Sequence, residues 1–158
     1  MKKITYTYLK NVALYYLERY EASSYKLRTV LNRRITKARS DQPIPKEAPR
    51  WIEDVVLEMI RLGYVNDKRF TENKVRCLSD AGKSCSFIRI KLKQAGIDDE
   101  EIANALSNTD ELANARLMVQ KKHLGHNFKS DLARLARAGF SYEIAREALE
   151  EVQPSTDF

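Results

Sequence analysis

The sequence predicts an all-α fold: tandem three-helix repeats, three units, stacked in an extended, curved array. Three observations lead there. Only 5 Gly and 4 Pro punctuate 158 residues that are rich in Leu, Ala, Glu, Lys and Arg. Few stretches alternate apolar and polar side chains with period two, which argues against a sheet. One pattern also recurs, because KLKQAGIDDEEIANAL (Lys91 to Leu106) and RLARAGFSYEIAREAL (Arg134 to Leu149) share their landmarks at the same spacing. Leu92 matches Leu135, Gly96 matches Gly139, Ile97 matches Phe140 and Leu106 matches Leu149.

Taken in order, residues 1–9 read as an amino-terminal extension. The first repeat covers 10–63, and its first helix contains Val12–Tyr20. Its middle helix is SSYKLRTVLNRRI, with Leu27, Leu31 and Ile35 at i, i+4 and i+8, and Ser23 or Ser24 at the cap. A proline-rich loop, 36–50, follows with Pro43, Pro45 and Pro49. The third helix resumes near Lys46 to Trp51, runs to Leu62 and places Ile52, Val55, Val56, Met59 and Ile60 on one face. The stretch LGYVNDKRF, Leu62 to Phe70, offers a phenol, an amide and a carboxylate, as a catalytic loop would. The repeat pattern makes it a joint instead. Gly63 ends one helix, Asn66 or Asp67 caps the next, and Val65 and Phe70 fall at the positions of a hydrophobic staple.

The second repeat covers 66–108 and begins with a helix containing Phe70–Ser79. The third covers 110–151 and begins with a helix containing Leu112–Leu124. Residues 152–158 form a tail. Within each repeat, Gly96 or Gly139 sits where a helix ends in a left-handed residue, which glycine adopts without steric cost. Asp98 and Ser141 are placed to cap the helices that follow. The acidic run Asp98–Glu101 reads as a helix start favoured by the helix dipole. No His, Cys or further carboxylate cluster completes a metal-ligand set around it.

The net charge is +6 and unevenly placed. Residues 1–50 hold 12 basic against 4 acidic side chains, and Lys68 to Lys93 hold 8 against 2. Such clustering suits either a polyanion-binding face or an ordinary solvated surface. Cys77 and Cys85 make no disulfide framework and suit a reducing compartment. No apolar run approaches the ~20 residues that cross a bilayer, and the start of the chain lacks a cleavage site. These features point to a cytoplasmic protein. His123 and His126, the only histidines, have no partners placed for catalysis or metal binding, and no phosphate-binding glycine loop is present. No enzyme activity is expected. Tyr6, Tyr8, Tyr15, Tyr16, Tyr20 and Tyr25 either stack on bases or pack the first helix; packing is the simpler reading.

The run from Leu62 to Ile97 resembles the RecX family of bacterial regulators of the RecA recombinase. Gly63, Tyr64, Asp67, Arg69, Phe70, Gly82, Ile88, Leu92, Gly96 and Ile97 match the family pattern, with Asn66 in place of the usual first Asp. Tyr25-Lys26-Leu27-Arg28 is similar to the family's Glu-Leu-Arg run, with Lys26 in place of the acid. Ala138-Gly139-Phe140 and Ile144 fit more loosely, so the resemblance covers about residues 10–151. It implies tandem three-helix repeats that lodge along the groove of the RecA–DNA filament, contact more than one protomer and limit recombinase activity. It implies no cofactor.

Arg28 and Arg89 fall at equivalent repeat positions, and the third repeat has Leu132 there. A basic ridge is therefore expected on the first two repeats and not on the third. Its candidates in the first repeat are Arg28, Arg33, Arg34, Lys37, Arg39 and Arg50. In the second they are Arg69, Lys74, Arg76, Lys83, Arg89, Lys91 and Lys93. Their role would be contact with phosphates of single- or double-stranded DNA, without sequence preference, or with acidic recombinase side chains. A monomer is expected. The rival reading is a helix-turn-helix-like regulator acting directly on DNA, but its reading helices would carry few amides beyond Asn32 and Gln94.

Overall fold

The computed structural model describes residues 2–152. Among the described residues there are nine helices and no strand. The chain divides into two compact units. One runs to Phe70 and includes Ala95–Ile97; the other holds Thr71–Gln94 and the chain from Asp98 onward. The expected tail, 152–158, lies outside the described residues from 153 on.

The first unit is built on α1 (Tyr6–Leu17), α2 (Ser24–Ala38) and α3 (Ala48–Arg61). Its core joins Leu9 and Ala13 of α1, Leu27, Leu31 and Ile35 of α2, and Ile52, Val55, Val56 and Met59 of α3. The i, i+4 and i, i+3 spacings of these residues put each set on one helical face, so burial and helical period agree. The amino-terminal segment departs from expectation. It is no extension: α1 begins at Tyr6, Thr5 accepts the Tyr8 N–H at 3.1 Å, and Ile4 is buried beside Leu9. Tyrosines occupy its flanks, and their polar tips hide the apolar face in the sequence. The proline-rich loop is also shorter than 36–50, because both flanking helices extend inward to bury Ala38 and Ala48. Ile60, expected on the buried face, is exposed.

The joint at Gly63–Asp67 forms as expected, with one addition. Gly63 takes a left-handed φ of 80°, and Tyr64 N–H donates to Met59 O at 3.0 Å. Asn66 caps α4 (Asp67–Asp80) by accepting the Arg69 N–H at 3.0 Å, and Val65 and Phe70 are both buried. Asp67 serves a different helix. Its carboxylate accepts the Ser24 N–H and the Ser24 hydroxyl, each at 2.7 Å, at the first turn of α2.

The second unit continues α4 and adds α5 (Cys85–Gln94), α6 (Asp99–Leu106), α7 (Glu111–Lys121), α8 (Phe128–Arg137) and α9 (Tyr142–Glu150). Ala115, Val119, Leu124, Leu135, Phe140, Ala145, Ala148 and Leu149 form one core cluster in it. Asp98 and Ser141 cap α6 and α9, accepting the Glu101 and Ile144 N–H groups at 2.8 and 3.3 Å. The division expected near residues 108–110 is not a boundary of compactness. Asn114 of α7 donates to Lys83 O at 3.0 Å, and Glu111 accepts the Cys85 N–H at 3.2 Å, so these segments fold as one body.

A single bonding device occurs twice at equivalent positions. The Ser23 hydroxyl accepts the Lys26 N–H at 3.2 Å and donates to Ala95 O at 2.6 Å. The Ser84 hydroxyl accepts the Phe87 N–H at 3.1 Å and donates to Ala138 O at 2.6 Å. Both serines are buried, and each alanine precedes one of the matched glycines, Gly96 or Gly139. Asp67 on Ser24 and Glu111 on Cys85 form a second matched pair beside it. Close approach, as well as backbone shape, makes the glycine necessary. A Cβ on Gly96 would meet the Tyr25 Cβ and Cγ at 2.4 Å, and one on Gly139 would meet the Ser84 Oγ at 2.5 Å.

Candidate nucleic-acid interface

The candidate interface begins with α2, whose fifteen residues include no Asp or Glu. Its apolar face is fixed by Leu27, Leu31, Ile35 and Ala38, which leaves Arg33, Arg34 and Lys37 exposed on the helix, with Arg39 at its carboxyl cap. Among the described residues none of these four has an acidic partner. Helix geometry alone thus creates an uncompensated cationic surface. Such a surface has no internal ion pair to break before it could meet an anion.

The remaining first-unit candidates are already engaged. Arg28 Nε lies 2.8 Å from Glu53, half-buried between α2 and α3. Arg50 is 4.0 Å from Asp54 one turn along α3. Arg69 donates to Gly63 O at 3.1 Å and lies 3.8 Å from Glu21. Arg69 therefore secures the joint.

In the second unit, α5 also lacks any acidic residue. Arg89 is exposed on it without an acidic partner among the described residues. Lys83 and Lys91 flank Phe87, with their ammonium groups 5.0 and 5.4 Å from the ring centroid. Cation–π contacts of this kind are weak when exposed, about 0.5–1 kcal/mol, and leave the charge available to an anion. Lys93 pairs with Asp99 at 3.2 Å, Arg76 donates to Asn73 at 2.7 Å, and Lys74 is half-buried.

The expectation that the last segment lacks a basic face needs correction. Lys129, Arg134 and Arg137 are all exposed on α8. The only acid of that helix, Asp131, turns inward and accepts the Gly125 N–H at 2.8 Å and the Asn127 N–H at 3.3 Å. The Gly125 N–H, with lesser help from Asn127 and Arg134, holds this carboxyl below the usual range. The signal was available: Asp131 lies four residues before Leu135, on the buried stripe. Lys2 and Lys3 were missed because residues 1–9 read as an extension.

The tyrosines divide. Tyr6, Tyr8 and Tyr16 pack against the first core, whereas Tyr15, Tyr20 and Tyr25 are exposed. Tyr6 donates to Glu58 at 2.5 Å and Lys10 pairs with the same carboxylate at 2.8 Å. Lys10 first, then Tyr6, lowers the Glu58 pKa, and the Glu58 bond raises that of Tyr6. Among the described residues no group of three His, Cys, Asp or Glu side chains could hold a metal ion, and no helix is long and apolar enough to cross a membrane.

The described residues thus present short capped helices, two acid-free basic helices and a matched pair of serine junctions. Residues 66–106 match the family model described as RecX, second three-helix domain, so a three-helix domain of that class lies in the middle of the chain. The regulatory protein RecX of Myxococcus xanthus is 35% identical over 94% of this chain and 88% of its own length. That of Stenotrophomonas maltophilia strain R551-3 is 33% identical over 65% of this chain and 71% of its own. The chain belongs to the RecX family, whose members here are named as regulatory proteins and not as enzymes. The crystal structure of RecX from Lactobacillus salivarius superposes with a TM-score of 0.68, at 23% identity, over 93% of this chain and 96% of that one.

Proposed function

We propose that this RecX-family chain is a cytoplasmic, monomeric regulator that binds the RecA–DNA filament along its groove and limits filament assembly. The observation that carries this reading is the pair of acid-free helices, α2 and α5, with exposed cations that have no acidic partner among the described residues. A filament of recombinase on DNA presents phosphates and acidic side chains in a regular array. Binding would alter assembly, because a ligand shifts an equilibrium by its differential affinity for the two states. The helix triplets act as three repeats in this reading. The two matched serine junctions support that count, since three repeats have two junctions.

The test reverses Arg33 and Lys37 on α2, and Arg89 and Lys91 on α5, to Glu. Filament assembly is followed by light scattering at low salt. The reading expects the wild-type chain to slow growth and the fourfold variant to lose most of that effect. Full inhibition by the variant would refute the assignment of these helices. The rival helix-turn-helix reading has its own signature, a preference among duplex sequences on the order of a thousandfold.

A further inference from the structure

The first compact unit holds a surface groove of about 560 Å³ between the amino-terminal segment, the outer face of α1 and the side of α2. Lys2, Lys3 and Arg34 line it, and no described carboxylate does. All three cations are exposed. Their backbone setting is fixed. The Gln42 side chain donates to Lys2 O at 3.1 Å and accepts the Ile4 N–H at 3.3 Å, while Ile4 is buried in the core below. One glutamine from the proline-rich loop thus clamps an extended segment that would otherwise fray, and holds two lysines at the groove's rim.

The other lining groups match the same kind of ligand. Thr7 brings a hydroxyl and Asn11 an amide, both able to donate to phosphate oxygens. Tyr8 and Tyr15 bring aromatic rings. The Arg19 guanidinium lies over the Tyr15 ring, 4.0 Å from its centroid. This steadies a ring that is half exposed and adds charge beside it. Cations for a backbone beside rings for bases are the two components of single-strand recognition. A duplex keeps its bases stacked inside, so its bases could not use those rings.

We propose that this groove is a binding site for single-stranded nucleic acid, with Lys2, Lys3 and Arg34 on the phosphates and Tyr15 against a base. The inference rests on the reading of the chain as a filament regulator and gives it a separate contact with exposed single strand. An acidic protein segment would satisfy the cations and leave the tyrosine ring without a role.

The experiment uses the full chain and a short fluorescein-labelled oligothymidylate, read by anisotropy across a salt series. The triple variant Lys2→Ala, Lys3→Ala, Arg34→Ala is expected to bind roughly tenfold or more weakly, with a log–log salt slope shallower by about 2, since each lost single-strand phosphate contact removes about 0.7. Tyr15→Ala is expected to lose roughly tenfold with its salt slope unchanged, as a stacking contact would. All four positions are exposed, so circular dichroism should show unaltered melting. Unchanged affinity and slope in the triple variant overturn the proposal. So does displacement of the oligonucleotide by polyglutamate as effective as by unlabelled oligothymidylate. If the triple variant binds normally while the wild-type chain still slows filament growth, only the groove assignment falls. If the wild-type chain neither binds the oligonucleotide nor slows growth, the broader reading falls with it.

Discussion

Gly96 is the residue at which backbone shape and packing make the same demand. Its φ of 77° is left-handed, and an added Cβ would lie 2.4 Å from the Tyr25 Cβ and Cγ. The Tyr25 Cβ is fixed to the α2 backbone and cannot swing aside. Gly63 shares the left-handed φ, but nothing lies within 4 Å of its Cβ position. Gly63→Ala should therefore cost about 1 kcal/mol, the backbone term alone. Gly96→Ala should cost about 3 kcal/mol, because overpacking adds to it. Urea denaturation of the two variants checks the difference, and equal losses would contradict the geometry. The sequence showed that a glycine was wanted at 96, through its match to Gly139. It did not show why, since Tyr25 lies far away along the chain.

At the scale of elements, helix ends decide more than helix interiors. Ser84 is both the amino-terminal cap of α5 and a donor to Ala138 O, and it is fully buried. Ser84→Ala removes a cap and leaves a carbonyl without its partner, for a loss of about 2 kcal/mol. Ser84→Thr keeps the hydroxyl and should recover part of that loss if the extra methyl is accommodated; thermal melts of the two variants compare them. Asp131 governs the turn before α8. Its pKa is depressed, so the stability it contributes is fully present above the ordinary carboxyl value near ~4 and is lost as pH falls through its lower folded value. Glu58, lowered by Lys10 and Tyr6, acts in the same sense. Asp131→Asn should flatten the acid limb of a stability–pH profile measured by chemical denaturation. A limb identical to wild type would show that the turn does not depend on the charge.

Legibility differed between these elements for physical reasons. The Leu27, Leu31, Ile35 stripe, the Asn66 cap and the Asp98 and Ser141 caps follow from local rules and are present in the structure. Periodicity puts Arg28 on the basic ridge but does not reveal its pairing with Glu53, which belongs to another helix. The start of α1 was hidden by tyrosines, whose rings are apolar and whose tips are not. Lys2 and Lys3 were lost with it.

For the whole molecule, charge is the property that binding should report. The chain carries +6, and its acids are placed largely away from the first fifty residues. The proposed association with a filament of recombinase on DNA should therefore weaken steeply between about 50 and 200 mM salt, as counterion release requires. Equilibrium sedimentation with the filament across that range gives the slope, and a flat response would mean that the cations are not the contact. Base identity should matter little, because the exposed groups on α2 and α5 are mostly point charges and guanidinium forks that meet phosphates equally on any sequence.

The serine junction has one more consequence. Each copy carries its own hydroxyl, its own neighbouring carboxylate and its own receiving carbonyl next to glycine. A duplicated triplet spliced in after Leu106 would arrive with matching connectors at both ends. Chains of this design can grow by tandem duplication without inventing a new seam.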